Sequence, residues 1–326
     1  MSAAIIKPTP IKFEIPKGWP KPPTDIFKNN PLTEEGFELG RRLFYDGNLS
    51  LDGNISCESC HQQFAGFSTY DHDLSHGVNN AFTTRNAPTI FNLAWMKEFH
   101  WDGGINHIEV QPLHPFTAAN EMGENIENIL KKLNADSVYP PMFKNAFGDN
   151  NISSERVLKS LAQFTGSIIS SNSKYDKVMR GEDSFNNIEQ KGYVLFKANC
   201  ETCHKEPLFT DNSYRNNGIA LNRFNDAGRM MITGRKEDSL KFKVPSLRNI
   251  QVSFPYMHDG SIFSVPQVID NYMSISFADN PSIDIALKNK ISFTPREKNE
   301  LIYFLYSLTD SSLLTNERYG PPKKIF

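Results

Sequence analysis

The four cysteines of this chain fall in two pentapeptides, Cys57-Glu58-Ser59-Cys60-His61 and Cys200-Glu201-Thr202-Cys203-His204. Each reads C-x-x-C-H, the attachment signature of a c-type haem. Two thiols at that spacing can add to the two vinyl groups of one haem. The histidine that follows is then held beneath the iron as proximal ligand. Other uses of these residues fit less well. A structural zinc site needs four ligands in a tetrahedral group, whereas each copy offers two cysteines and one adjacent histidine. A thioredoxin-like C-x-x-C needs no histidine and belongs near a βαβ pattern. A disulfide across so short a loop is a poor staple. Cys57, Cys60 and His61, and again Cys200, Cys203 and His204, are therefore expected to hold two covalent haems.

The elements that must position these motifs are mostly helices. Residues 1–32 are rich in Pro and Lys, have no period, and read as an extended arm able to wrap another part of the surface. Thr33 caps a helix to about Phe44, with Glu34 and Glu35 in its first turn. Gly40-Arg-Arg-Leu43-Phe44 before the first motif resembles Gly192-Tyr-Val-Leu195-Phe196 before the second. Thirteen positions separate Phe44 from Cys57, and only four separate Phe196 from Cys200. A closing amphipathic helix is expected over 153–170 behind Ser153 and Ser154. Another is expected over 294–309, with Thr294 as N-cap, Pro295 at N1 and Glu297 at N3. Ser170 to Lys174 reads as a polar linker. Strand signals are scarce. The expected fold is mainly α: two tandem cytochrome c-like domains with long loops and one haem each, over 33–170 and 171–326.

Composition sets outer limits. A length of 326 residues favours about two domains. A net charge of −2 points to neither nucleic acid nor an anionic membrane surface. No apolar run reaches about 18 residues, so no membrane span is expected. Met1 to Pro10 shows no apolar leader core or cleavage site. Covalent haem attachment is normally made outside the bacterial cytoplasm, so a periplasmic location is expected, with the leader absent from this sequence.

More specific signals lie between the motifs. They are Thr84-Arg-Asn-Ala-Pro-Thr-Ile-Phe-Asn92, Phe99-His-Trp-Asp-Gly103, Glu109-Val-Gln111 and Ala119-Asn-Glu-Met-Gly123. Later come Phe242-Lys-Val-Pro-Ser-Leu-Arg-Asn249 and Phe254-Pro-Tyr-Met-His-Asp-Gly260. In this order they resemble the bacterial di-haem cytochrome c peroxidases and their MauG-like relatives, from about Pro31 to Leu308.

The resemblance implies a role for individual residues. Glu121 matches a glutamate over the open face of a peroxidatic N-terminal haem, and Gln111 a distal-pocket glutamine. Ala118 and Ala119 stand where the family often has Asn-Pro. A carboxylate there suits the chemistry, because peroxide must lose a proton to bind ferric iron and regain one on its far oxygen. Trp101 matches a tryptophan placed between the haems. His76 matches a loop histidine that caps the first iron conditionally, with His72 a nearby competitor. His100, His107 and His114 read as structural or exposed. The distal ligand of the second iron falls on Tyr272, as in the MauG-like branch, with Met273 next to it as the alternative. Asn86 by side chain, and Ser253 and Pro255 by backbone carbonyl, match a calcium site of hard oxygen ligands.

The resemblance implies reduction of hydrogen peroxide with electrons from a small cytochrome c or cupredoxin. The alternatives are a MauG-like oxidation of a side chain on a partner protein, or a non-catalytic electron carrier. It leaves room for a homodimer.

Overall fold

The computed structural model describes residues 7–70, 72–277 and 282–323. The first six residues of the expected arm lie outside that range. The helices, in chain order, are α1 (Glu34–Phe44), α2 (Leu113–Thr117), α3 (Ile126–Ala135), α4 (Tyr139–Phe147), α5 (Ser154–Gly166) and α6 (Lys174–Met179). They continue with α7 (Asn187–Asn199), α8 (Met230–Thr233), α9 (Val265–Ser274), α10 (Pro295–Tyr306) and α11 (Ser311–Leu314). Among the described residues the only ladder joins β1 (Tyr214–Arg215) to β2 (Phe242–Lys243), antiparallel, with Tyr214 opposite Lys243. The expectation of a mainly helical chain with long loops holds.

The caps form as the sequence indicates. The Thr33 side chain accepts from Gly36 N, and Thr294 with Glu297 closes a full capping box. The two closing helices are shorter than the apolar spacing indicates. The fifth ends at Gly166 and the tenth at Tyr306. Ile168 and Leu308 are still buried, but on the turn after each helix.

The internal repeat has a steric basis. α1 packs on α5, and α7 packs on α10. A Cβ built on Gly40 would lie 1.9 Å from Ser160 O, and one on Gly192 would lie 2.0 Å from Glu300 O. Only glycine lets the paired backbones approach so closely. Around the first pair a hydrophobic cluster gathers Phe37, Leu43, Phe44, Leu161 and Phe164. Around the second gather Tyr175, Phe196, Leu301, Phe304 and Leu305.

The segments joining the clusters are firmly packed. The expected linker is polar but not open, since Ser170 and Ser173 are buried. Asn92 and Ser170 exchange two hydrogen bonds, and Asn249 Nδ2 donates to Ser170 Oγ. Asp310 Oδ2 accepts from the backbone N–H of Ser171 and Asn172. The last described stretch then returns to the first cluster, because Leu313 finds its apolar partners there. Gln63 donates to Leu313 O and Asn316 O, and Tyr45 to Tyr319 O. The described part of the arm packs Ile11 and Ile26 on the first cluster. Trp19 meets Trp95 edge-on at 5.0 Å and lies 4.6 Å from the Arg248 guanidinium. Arg248 is fully buried on a bidentate Asp176.

Gly40→Ala and Gly192→Ala force their helix pairs apart. Each is expected to destabilise the protein by about 1–3 kcal/mol, read as a lower urea midpoint. An unchanged midpoint would contradict the close crossing.

Candidate haem-binding cavity and distal cluster

Both pentapeptides sit on tight turns that turn their cysteine and histidine side chains inward. His61 N donates to Cys57 O, and His204 N to Cys200 O, each at 2.9 Å. α7 runs straight into Cys200, which is its C-cap. The imidazoles are fixed by their own backbone contacts. His61 Nδ1 lies 3.0 Å from Phe67 O, while His204 Nδ1 lies 3.2 Å from Phe209 O and 3.1 Å from Pro245 O. A carbonyl only accepts, so Nδ1 carries the proton in both rings and each Nε2 keeps its lone pair. Burial lowers both pKa values, favouring the neutral ring. This is the arrangement a metal-binding imidazole requires.

None of the four cysteines is paired in a disulfide. Burial pushes Cys57 up to about 12, Cys60 to about 11 and Cys200 to about 12. Among the described residues no group of three or more His, Cys, Asp or Glu could hold a metal ion by itself.

Both motifs line one cavity of about 780 Å³. Trp101, Asn86, Gln111, Glu121, Tyr272, Ser253 and Pro255 share its wall. The Trp101 indole N–H donates to Asn86 O at 2.8 Å, and Trp101 O accepts from Lys243 N at 2.7 Å. The indole and the backbone of Trp101 are thereby both held. Arg85 holds the same wall by bridging Asp102 and Asp226.

Glu121 lies on the side of the first motif, since its charge is felt by Cys57 and Cys60. Burial raises its pKa and the His114 charge opposes that rise. His114 Nδ1 is 3.5 Å from Glu121 Oε1. Gln111 Nε2 is 3.3 Å from His100 Nε2. An amide nitrogen donates, so His100 Nε2 accepts and that ring is neutral. Its pKa is pushed down to about 4, chiefly by burial and then by the His114 charge. The His100 and His114 rings meet edge-on at 5.3 Å.

Four polar side chains thus form one cluster. His100 and His114, which the sequence left as structural or exposed, belong to it. Gln111 precedes α2, whose N-cap is Pro112, and His114 stands in its first turn. The chain also holds His100 in a left-handed conformation, φ 65°. His107 stays outside the cavity wall.

Tyr272 faces the second motif. It bonds to the Asn217 side chain, feels the charges of Cys203 and Cys200, and is pushed up to about 12 by burial. Met273, one residue on, packs instead on the second hydrophobic cluster. His76 is absent from the cavity wall. Its ring lies 4.4 Å from that of Phe82 and 5.2 Å from that of His72. Asn86 Nδ2 donates to Pro255 O at 2.7 Å and to Met257 O at 3.2 Å. Asn86 Oδ1 is buried without a hydrogen-bond partner. His258, in the same wall, is buried on the Phe242 ring at 3.6 Å, and its Nε2 also has no partner.

The pattern of the family described as di-haem cytochrome c peroxidase matches residues 34–184. The chain is 34% identical to the methylamine utilization protein MauG of Methylorubrum extorquens over 305 residues, covering 91% of this chain and 83% of that one. It is 32% identical to the cytochrome c551 peroxidase of Nitrosomonas europaea over 284 residues, covering 86% and 81%. Its structure is similar to the crystal structure of a MauG-like protein associated with microbial copper homeostasis. There the TM-score is 0.87 at 33% identity, covering 96% of this chain and all of that one. The homodimer expectation gains no support from these relatives. Among the described residues no helix is long and apolar enough to cross a membrane.

As pH falls through about 6.5 the unfolded chain protonates His100, and the folded chain resists protonation until about 4. Stability therefore falls with pH across that window. Glu121, whose pKa is raised, acts in the opposite sense. His100→Leu removes only the first contribution. Its urea midpoint is expected to fall less steeply than that of the unsubstituted protein from about pH 6.5 to about pH 4.5. Parallel slopes would show that His100 carries no such linkage.

Proposed function

Because the chain belongs to the di-haem cytochrome c peroxidase family that includes MauG, we propose that it reduces hydrogen peroxide to water with electrons from a small redox protein. The observation that carries this reading is the cluster of Glu121, Gln111, His100 and His114 on the cavity wall shared with the first C-x-x-C-H motif. A pure electron carrier has no use for a titratable cluster there.

In this reading the chain forms two tandem cytochrome c-like domains, 33–170 and 171–326. Cys57, Cys60 and His61 hold one haem; Cys200, Cys203 and His204 hold the other. The residues fit the group: each histidine offers a neutral Nε2, and Cys60, Cys200 and Cys203 face a common cavity. When bound, the haems supply the iron at which peroxide reacts and the store for two electrons.

The chain's own residues do the rest. Glu121 takes a proton from incoming peroxide and returns it to the far oxygen, and burial raises its pKa toward that task. Gln111, held by His100, orients the peroxide. Trp101, its indole held by Asn86 O, offers a π-system for electron passage. His76 remains a conditional ligand that its loop would have to carry inward. Asn86, Ser253 and Pro255 would hold calcium, and the unpartnered, buried Asn86 Oδ1 fits a hard cation. Covalent haem attachment supports a periplasmic location.

A second reading has its own support. Tyr272 lines the cavity while Met273 packs in the apolar cluster. This favours a phenolate on the second iron and a MauG-like oxidase that draws electrons from a side chain of a partner protein. Oxygen ligation lowers the potential relative to methionine.

Glu121→Gln is expected to cut peroxide turnover by about a hundredfold or more with both haem spectra intact; full turnover would remove Glu121 from the mechanism. Tyr272→Phe is expected to convert the second haem from low-spin to high-spin in the EPR spectrum of the oxidised protein, and Met273→Leu to leave it unchanged. The reverse pattern would assign the ligand to Met273.

A further inference from the structure

Reducing one peroxide by two electrons consumes two protons from solvent: H2O2 + 2 e− + 2 H+ gives 2 H2O. Glu121 can move the protons that peroxide brings, but it must be recharged with those the reaction consumes. Its side chain is only 26% exposed, whereas that of His114 is 58% exposed and has its Nδ1 3.5 Å from Glu121 Oε1. We propose that His114 is the port through which protons from solvent reach Glu121. The inference rests on the reading of Glu121 as the acid–base residue.

The geometry around His114 supports the role. It stands on α2, a single turn in which Leu113 O and His114 O accept from the Thr117 hydroxyl and His114 O also accepts from the Ala118 N–H. The following turn folds back, with Glu121 N and Gly123 N both donating to Ala118 O, and so brings Glu121 next to His114. The titratable groups facing His114 are Glu121 and His100. Those facing Glu121 are His114 and the sulfurs of Cys57 and Cys60.

His100 is itself ill suited to relay protons. Its Nε2 accepts from Gln111 and its surroundings oppose the cation. The two histidines therefore divide the work: His100 holds Gln111 as a neutral acceptor, and His114 faces water. A histidine is the side chain best suited to exchange protons near neutral pH. His114 touches Glu121 and not the reacting atoms, so it is a positioning residue, and its effect is on proton supply.

The test uses the di-haem holoprotein, reduced anaerobically by two electrons and mixed in stopped flow with one equivalent of hydrogen peroxide. The solution is weakly buffered and contains a pH-indicator dye. The dye follows proton uptake, and the haem absorption follows oxidation. In His114→Gln, uptake and oxidation are expected to slow by about tenfold or more. Raising the concentration of a mobile buffer acid should restore the oxidation rate in the variant while leaving the unsubstituted protein unchanged. His114→Asn is expected to behave alike, so the result does not depend on one replacement.

Unsubstituted rates in both variants, with no buffer dependence, would overturn the proposal. So would a slow oxidation that buffer fails to restore, which marks a structural defect. Glu121→Gln separates the two layers of argument. If it reacts normally, the acid–base reading of Glu121 fails and the port fails with it. If it is inactive while His114→Gln is normal, the port alone fails.

Discussion

Everything at the cavity depends on two imidazole protons. His61 and His204 each commit Nδ1–H to backbone carbonyls, Phe67 O in one case and Phe209 O with Pro245 O in the other. That commitment fixes the ring orientation, the tautomer and the free Nε2 together. The carbonyls must themselves be rigid, and the fold supplies the rigidity. Phe67 and Phe209 are fully buried residues with positive φ, so each carbonyl is aimed by a bend that packing enforces. Phe67 N is tied back to Gln62 O, and Thr210 Oγ1 donates to Val244 O beside Pro245. The helix pairs α1–α5 and α7–α10 stand behind these bends and carry the apolar clusters.

The buried polar joint is the second dependence. Asn92 and Asn249 each take the left-handed conformation, with φ 58° at both. Asparagine tolerates that region better than most residues because its side chain can bond locally. Each also reaches Ser170, by side chain or backbone. Asp310, fully buried, collects the neighbouring N–H groups. A joint of this kind leaves little freedom between the two clusters, because every unmade bond would strand a buried polar group. The cavity that both motifs line can therefore keep one shape.

Much of this is legible in the amino-acid sequence. The caps of α1 and α10 depend on groups three residues apart, and such local rules survive folding. The repeated Gly-x-x-Leu-Phe marked the helix crossings because a close crossing excludes every side chain but hydrogen. The two C-x-x-C-H motifs were legible because covalent chemistry fixes their spacing. Other features were not. The joint at Ser170 read as a linker, since a run of Ser and Asn looks the same exposed or buried until its partners are known. His100 and His114 read as bland because their meaning comes from Gln111 and Glu121, brought near by a turn that local propensity does not specify. Nor was it legible that Tyr272 lines the cavity while Met273 packs on the apolar cluster, since a one-residue step along a helix swings a side chain by about 100°.

The unequal approaches to the two motifs carry a further consequence. The nine additional positions before Cys57 form a loop that supports the turn bearing Glu121. Leu51 N donates to Met122 O, and Lys132 Nζ reaches across to Ser50 O and to Glu124. From another direction Val78 N donates to Glu121 O, and Gly77 lies so close that a Cβ there would stand 2.2 Å from Asn120 O. The turn is thus held by segments that belong to the first motif alone. One of them continues directly from His76. A movement that carried His76 toward the cavity would pull on Gly77 and Val78, and so on the backbone of Glu121. The ligand that could close the first site and the carboxylate that would serve it share one hydrogen bond and one glycine contact. The second motif, entered directly from α7, has no such loop before it. The asymmetry of the two sites is therefore built into the length of chain between helix and cysteine, before any difference in distal ligand is considered.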